Sequence, residues 1–334
     1  MAEQRFLLVR LGSLGDVIHA LPSAASLRDT FPDARIDWVV EGKWARLLQG
    51  NPDITSVVVL DRARRGGFHA AVMQLRAAHY TCALDFQALY KSALLAFASG
   101  AARRIGFKSS YAREGLAAAL YTERLNPRGP HKVDHNFTLA ERAGARALTS
   151  RFPITVQPED EEHVARELSG RDVADFFVLN PGGGWLSKCW PAERYGQLHQ
   201  KLAQRYGWRG VITFGPGEEN LAQQVISAAG NPAPVALPLG LGPLMALLRR
   251  AKFVVSADTG PLHLATAVGT PVVGLYGPTD PSRNGPYGSA HVVVRNAHAS
   301  ETTYRRSASY SPAMTSISVE QVLKAIECRL GPHT

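Results

Sequence analysis

The chain has 334 residues, of which 45% are hydrophobic and 19% charged, and a formal net charge of +9. That length predicts two domains, and that composition excludes a disordered or fibrous chain. Cys82, Cys189 and Cys328 are odd in number and far apart, which excludes a disulfide framework and a zinc pattern and points to a reducing compartment. No apolar run approaches the ~20 residues of a membrane span, and no signal-peptide core is present. A cytoplasmic protein is expected, with room for docking on a membrane surface. The positive excess, carried mostly by Arg, suits an anionic partner.

In chain order, residues 5–10 (RFLLVR) read as a first strand, 11–16 as a turn, and Val17 onward as a helix kinked at Pro22. Strands follow at 36–40 and 54–60, then a basic loop, DRARRGG, at 61–67. A strand at 82–86 ends in Asp85-Phe86-Gln87 and leads into a helix near 88–98. Another strand is expected at 104–107, a short helix near 113–120 and a longer one at 135–147. Residues 148–157, with Pro153 and nearby Pro158, read as a linker, and the acidic run 159–162 as the first turn of a surface helix rather than a metal site.

The alternation then restarts. Strands are expected at 176–179, 210–214, 235–237, 253–255, 271–276 and 291–295, with helices at 191–206, after 215–220, at 243–250, 262–268 and 319–330. Residues 296–315 read as loop. Strands alternating with helices mean βαβ units and parallel sheets, so the chain is expected to be α/β with two domains and a cleft between them.

Several residues carry chemistry. Asp16 follows the first strand's turn at a helix start; it can cap that helix or serve as a general base, and one role does not exclude the other. His19, three residues on, shares its face. Gly12-x-x-Gly15 with Glu41 ending the second strand partly mimics a dinucleotide site, but the full G-x-G-x-x-G spacing is missing, which argues against a dehydrogenase. Gly182-Gly183-Gly184 with Lys188 is a glycine-rich loop after a strand, able to bring backbone N–H groups and a cation to a phosphate, though without P-loop spacing. Asp258-Thr259-Gly260, then Pro261, join a strand end to a helix N-terminus, a second phosphate-suited point. Arg62, Arg64, Arg65, Lys91, Arg103, Arg104, Lys108 and Arg113 recur in the first half and fit a polyanionic acceptor; no nucleic-acid motif accompanies them. No D-x-D pair ends a strand, no histidines have ligand spacing, and nothing in the sequence requires a metal or other cofactor.

SADTGPLHLATAVGTPVVGLYGPTDP (256–281), with GSLGD (12–16), resembles the ADP-heptose:lipopolysaccharide heptosyltransferase family. DWVVE (37–41), DFQALYKSALL (85–95) and AREGLAAALY (112–121) narrow the resemblance to the heptosyltransferase I branch. The resemblance implies the GT-B architecture: two Rossmann-like domains whose parallel sheets face a central cleft. Residues 1–150 would bind the acceptor and 151–317 the nucleotide-sugar donor, with a closing helix at 318–331 packing back on the first domain. Asp16 would be the general base. Gly183, Gly184, Lys188, Glu219, Leu239, Asp258, Thr259, Gly260 and His263 would form the donor site, with Lys188 on the diphosphate, Glu219 on the ribose and Leu239 near adenine. Gly15, Arg62, Arg64, Arg65, Gln87, Lys91 and Arg113 would serve the acceptor. Two departures stand out: glycine at 183–184 where some members carry hydroxyl residues, and Ala88 where DFQG is usual.

The implied activity is inverting, metal-independent transfer of heptose from ADP-heptose to a Kdo sugar of the lipid A inner core. It would occur in the cytoplasm, in peripheral contact with the inner membrane, without a cofactor and without nucleic acid. The alternatives are a related transferase using another nucleotide sugar and a nucleotide-sugar binding protein without turnover.

Overall fold

The structure is a computed structural model and describes residues 4–330. The chain divides into two compact units after Thr155. The first contains strands β1 (Arg5–Val9), β2 (Arg35–Glu41), β3 (Ser56–Leu60), β4 (Cys82–Asp85), β5 (Arg103–Phe107) and β6 (Glu123–Leu125). They form one sheet in the order β3-β2-β1-β4-β5-β6, and every pairing is parallel. The second contains β7 (Phe176–Asn180), β8 (Arg209–Thr213), β9 (Val235–Leu237), β10 (Val254–Ala257), β11 (Val272–Tyr276) and β12 (Val292–Arg295). Their order, β12-β11-β10-β7-β8-β9, is also parallel throughout. Counted from its own first strand, each sheet runs 3-2-1-4-5-6, the doubly wound order of dinucleotide-binding folds. The expected α/β class with Rossmann-like sheets is what the chain adopts.

The strands form where the sequence is apolar and β-branched because helices cover both sheet faces. β1, β4 and β7 are buried along almost their whole length. Leu7, Val9, Val39, Val58, Leu75, Ala83 and Leu95 belong to the core of the first unit. Phe177, Leu179, Trp190, Tyr195, Phe253, Val255 and Val273 belong to that of the second.

The 148–155 segment, expected as a linker, is held by the first unit. Thr149 N donates to Ser26 Oγ at 3.1 Å, Arg151 pairs with Asp29 and Asp53 at 2.7 Å each, and Asn51 Nδ2 donates to Pro153 O at 2.7 Å. The unit boundary therefore lies beyond residue 150. The closing helix, Val319–Leu330, was expected on the first domain. Its apolar residues Val319, Val322 and Ile326 instead lie in the core of the second unit, against helix Ala192–Tyr206, β11 and β12. Burying side chains of this kind contributes ~2 kcal/mol each, which holds the helix there.

Pro22 does not kink a helix; it stands in the first turn of Leu21–Thr30, where its missing N–H costs nothing. Helices Gly42–Leu48 and Gly67–Ala77 and strand β6 escaped the sequence reading. Each is short, half exposed or sparse in apolar residues, so its periodicity is weak. The helix expected at 135–147 spans Lys132–Ala143 and stops at Gly144, whose φ of 114° a side chain would resist.

Candidate functional site

A sheet of this order sends the chain away from its first and fourth strands in opposite directions, leaving a crevice beyond their carboxyl ends. In the first unit, the loops at that point follow β1 and β4. Ser13 caps helix Leu14–Ile18, and Asp16 stands at its third position, not at the cap. Asp16 Oδ2 accepts from Ser13 Oγ at 2.9 Å and Ser13 N at 3.3 Å. Arg10 Nη2 lies 2.6 Å from Asp16 Oδ1, while Arg10 Nη1 donates to Phe86 O at 2.5 Å. Arg10 thereby ties the β1 and β4 loops together. Burial alone would raise the Asp16 pKa; the Arg10 and His19 charges and the Ser13 hydroxyl overcome it and lower the value to about 2. The Asp16 side chain remains 36% exposed, so an ionised carboxylate faces solvent where a ligand can reach it.

Gln87 is tied to the loop after β1 through the backbone: its Oε1 accepts from Leu11 N at 2.7 Å. Asp85 holds the β4 loop below it. Fully buried, it accepts from Gln87 N, Ala88 N, Ser92 Oγ and Tyr121 Oη at 2.9, 3.2, 2.8 and 2.6 Å. Ala88 adopts φ +54°, a left-handed conformation that glycine accepts without a Cβ clash. Gly15 is buried, and its carbonyl accepts from His19 N at 2.9 Å. His19 itself is buried and packs edge-on to His131 with ring centroids 5.3 Å apart.

Arg62 and Lys91 meet at one carboxylate. Glu41 Oε1, at the end of β2, lies 3.2 Å from each, and Lys43 lies 3.9 Å from Oε2. Burial opposes ionisation of Glu41, but Lys91 and Arg62 outweigh it and lower its pKa. Arg64 and Arg65 ride the exposed 61–66 loop, which Asp61 Oδ1 fixes by accepting from Ala63 N and Arg64 N at 3.0 and 3.1 Å. Arg113 is exposed on the loop after β5. Among the described residues, no ion pair engages Arg64, Arg65 or Arg113. Glu41 thus gathers Arg62 and Lys91 at one oxygen. Gly12 serves packing: a Cβ there would meet Trp44 Nε1 at 2.6 Å.

In the second unit, the crevice at the carboxyl ends of β7 and β10 is a pocket of about 250 Å³. Gly183, Gly184, Leu239, Thr259 and Gly260 line it, as do Asn180 and Glu218. Glu218, the neighbour of the expected Glu219, lines the pocket. Its two oxygens accept from Gly183 N at 3.0 Å and Gly215 N at 2.8 Å, coupling the β7 and β8 loops. Glu219 is exposed and accepts from Gly217 N at 3.2 Å. A Cβ at Gly182 would lie 2.1 Å from Glu218 Oε2, so only glycine allows this contact. At Gly183 a Cβ would press Cys189 Sγ at 3.0 Å and Thr259 at 3.3 Å, whereas at Gly184 it would meet nothing within 4 Å.

Asn180 ends β7 and orders the floor. Its Nδ2 donates to Thr213 O at 3.0 Å, and its Oδ1 accepts from Ser256 Oγ and Thr259 Oγ1 at 3.2 and 3.3 Å. Beside it lies a buried charge cluster. Lys188 Nζ donates to Asp258 Oδ2 at 2.6 Å and Asp258 O at 3.2 Å. Asp258 Oδ1 accepts from Asn284 Nδ2 at 2.7 Å and lies 3.4 Å from His263 Nε2. Burial would raise the Asp258 pKa; His263 and Lys188 outweigh it and hold the carboxyl well below the usual range. The Lys188 ammonium also stands 4.4 Å from the Trp185 ring centroid. Helix Gly260–Ala267 opens here with Thr259 as its cap, presenting its N-terminal N–H groups.

The structure thus gathers most of the expected donor residues at one crevice and Asp16 and Gln87 at the other. Sequence reasoning missed Arg10, Asn180, Glu218 and Asn284. Arg10 and Asn180 had one available signal: each lies at the carboxyl end of a unit's first strand. Among the described residues, no group of three or more His, Cys, Asp or Glu is gathered where it could hold a metal ion, and no helix is long and apolar enough to cross a membrane.

The model of glycosyltransferase family 9 (heptosyltransferase) matches residues 68–313. Lipopolysaccharide heptosyltransferase 1 of Pseudomonas aeruginosa is 30% identical over 92% of this chain and 88% of its own length. The Escherichia coli K12 protein of the same name is 30% identical over 87% of this chain and 93% of its own. Among solved structures, E. coli heptosyltransferase WaaC with ADP superposes with a TM-score of 0.75 at 26% identity, covering 98% of both chains. E. coli ADP-heptose lps heptosyltransferase II shares the fold, with a TM-score of 0.82 at 20% identity over 98% of both chains. The paired doubly wound sheets and the two crevices are therefore those of a glycosyltransferase, and the chain belongs to family 9, the heptosyltransferases.

Proposed function

We propose that this heptosyltransferase acts in lipopolysaccharide core synthesis, moving heptose from ADP-heptose to a Kdo sugar of the lipid A inner core. Transfer inverts the anomeric carbon and uses no metal ion. The observation that carries the reading is the ionised, partly exposed Asp16 carboxylate at the switch point of the first sheet. The names of the relatives support heptose transfer in lipopolysaccharide synthesis, and WaaC solved with ADP supports the nucleotide of the donor.

Asp16 takes the proton of an acceptor hydroxyl while that oxygen forms its bond to the anomeric carbon. The bond from that carbon to the diphosphate oxygen breaks, and ADP leaves with the electron pair. A carboxylate with a pKa of about 2 is a weak base, so proton transfer comes late, once the attacking oxygen has become acidic. One displacement needs one base and no protein nucleophile. In the donor pocket, Leu239, Leu244 and Phe214 offer apolar surface to adenine. Lys188 has three ammonium protons; Asp258 accepts two contacts, which leaves one for the diphosphate. The N-terminus of helix Gly260–Ala267 adds N–H groups and dipole. Glu218 positions the Gly183 and Gly215 loops around the nucleotide. Arg62, Arg64, Arg65, Lys91 and Arg113 receive acceptor phosphates, with Glu41 holding two of these cations in place meanwhile. The enzyme works on the cytoplasmic face of the inner membrane, in peripheral contact with it.

The test is ADP release from ADP-heptose in EDTA, with and without Kdo-lipid A, with the product's anomeric configuration read by NMR. Acceptor-dependent release, lost in Asp16→Asn, supports the reading. A metal requirement, retained configuration or undiminished turnover in a folded Asp16→Asn variant overturns the corresponding part. Tight ADP binding without release with either substrate favours a binding protein.

A further inference from the structure

The loop after β5 exposes large apolar side chains among cations. Leu116 is 78% exposed, Tyr111 57% and Tyr90, across from them, 50%. Lys108 and Arg113 flank Tyr111 and are exposed as well. The loop is braced. Lys108 N donates to Leu125 O at 3.0 Å, and Tyr111 N and Ala112 N to Lys108 O at 2.9 Å each. Glu114 N donates to Ala88 O at 3.3 Å, and Glu114 Oε2 accepts from Tyr90 N at 2.6 Å. That contact fastens the loop to the start of helix Tyr90–Ala98 and occupies the acidic side chain. Beneath Leu116, Ala117, Ala118 and Tyr121 pack with Ala93 in a small core of their own. Tyr111 and Leu116 are thus presented on a braced platform.

Because every strand of this sheet is parallel, the loops after β1, β3 and β5 leave the same edge. β3 and β5 each stand two strands from β1, roughly 10 Å to either side. The β3 loop carries Arg62, Arg64 and Arg65, with Phe68 40% exposed just after it. Asp16, after β1, is therefore flanked by two loops that combine cations with exposed apolar groups.

We propose that this edge docks on an anionic phospholipid bilayer, with Tyr111 and Leu116 entering the interface and Lys108 meeting lipid phosphates. Apolar tips interleaved with cations match a surface that is negative outside and apolar just beneath. A second copy would set like charge against like charge, on a chain already at +9. Docking would bring Asp16 to the level of a lipid headgroup's sugars. The inference rests on the membrane contact of the proposed function and assigns the surface that makes it; vesicle binding tests that surface without donor or acceptor.

The experiment sediments the full chain with vesicles of phosphatidylcholine containing phosphatidylglycerol and with phosphatidylcholine alone. Binding is expected to the anionic vesicles and to fall as salt is raised. Tyr111→Ser with Leu116→Ser should lower partition ~tenfold or more, since two interfacial anchors are removed. The same variant should turn over a soluble, deacylated acceptor at the wild-type rate. Leu116→Trp, which keeps the site apolar and adds an interfacial anchor, should raise partition and guards against misfolding of the double variant. Equal binding to neutral vesicles overturns the proposal, as does unchanged partition in both variants. Self-association that the double variant abolishes, without vesicle binding, assigns the face to a second copy. Loss of turnover on the soluble acceptor assigns Tyr111 and Leu116 to the acceptor site instead.

Discussion

Arg10 and Asp16 form an ion pair of 2.6 Å across the turn after β1, and the same guanidinium holds Phe86 O. Removing the cation while keeping its stem, in Arg10→Met, leaves burial to act on Asp16 with less opposition. The Asp16 pKa should climb from about 2, so the acid limb of kcat/KM moves up by at least ~1 pH unit. A pH–rate profile of the variant checks this; an unmoved acid limb separates Arg10 from the ionisation of the base. Asp16→Asn keeps an oxygen for the Ser13 contacts and should retain the fold while kcat drops ~10²–10⁴-fold.

Gly182 and Gly184 should respond oppositely to alanine. Gly182→Ala drives a Cβ into Glu218 Oε2 and releases Gly183 N and Gly215 N from their acceptor. Leaving such groups unsatisfied costs about 1–3 kcal/mol, which should appear as weaker ADP binding in calorimetry. Gly184→Ala meets no protein atom within 4 Å and should leave the urea midpoint at the wild-type value, whereas Gly182→Ala should lower it.

Lys188→Met should raise donor KM and lower kcat together while acceptor KM stays put. The side chain is only 15% exposed and makes both of its hydrogen bonds to Asp258, within the donor cluster. Steady-state kinetics with each substrate varied in turn would show it, and a change in acceptor KM alone would remove Lys188 from the donor.

Ala88→Gly should stabilise the protein by ~0.5–1 kcal/mol. Relief of the left-handed strain at φ +54° exceeds the extra chain entropy that glycine brings to the unfolded state. Urea unfolding should show a higher midpoint at an unchanged slope.

His199 makes the second unit acid-sensitive. It is fully buried against Phe177, and burial, aided by Arg209, lowers its pKa from 6.5 to about 4. The unfolded chain takes up a proton near 6.5 that the folded protein refuses, so this contribution is complete above pH 6.5 and is lost as pH falls towards 4. His199→Leu should lose less stability across that window than wild type, read from urea midpoints at several pH values. Asp16 and Asp258, both lowered from 3.8, add their own loss only at lower pH, so the two effects separate.

Most strands, and the places where chemistry concentrates, are legible in the chain before it folds. Runs such as IDWVV and PVVGLY can be satisfied only by strands buried on both faces, and Gly182-Gly183-Gly184 and Asp258-Thr259-Gly260-Pro261 mark strand ends through backbone preferences that act over a few residues. Which charges meet depends on the assembled fold. Arg10 reaches Phe86 O, 76 residues away, only because β1 pairs with β4. Glu218 and Glu219 are equivalent as neighbours in a sequence; the helix start after β8 turns one into the pocket and leaves the other exposed. The closing helix shows an apolar face in either reading, and only packing decides that the second unit's core receives it. Local preferences fall off within a turn or two of chain, whereas ion pairing and burial depend on distance in space, which strand order and register set.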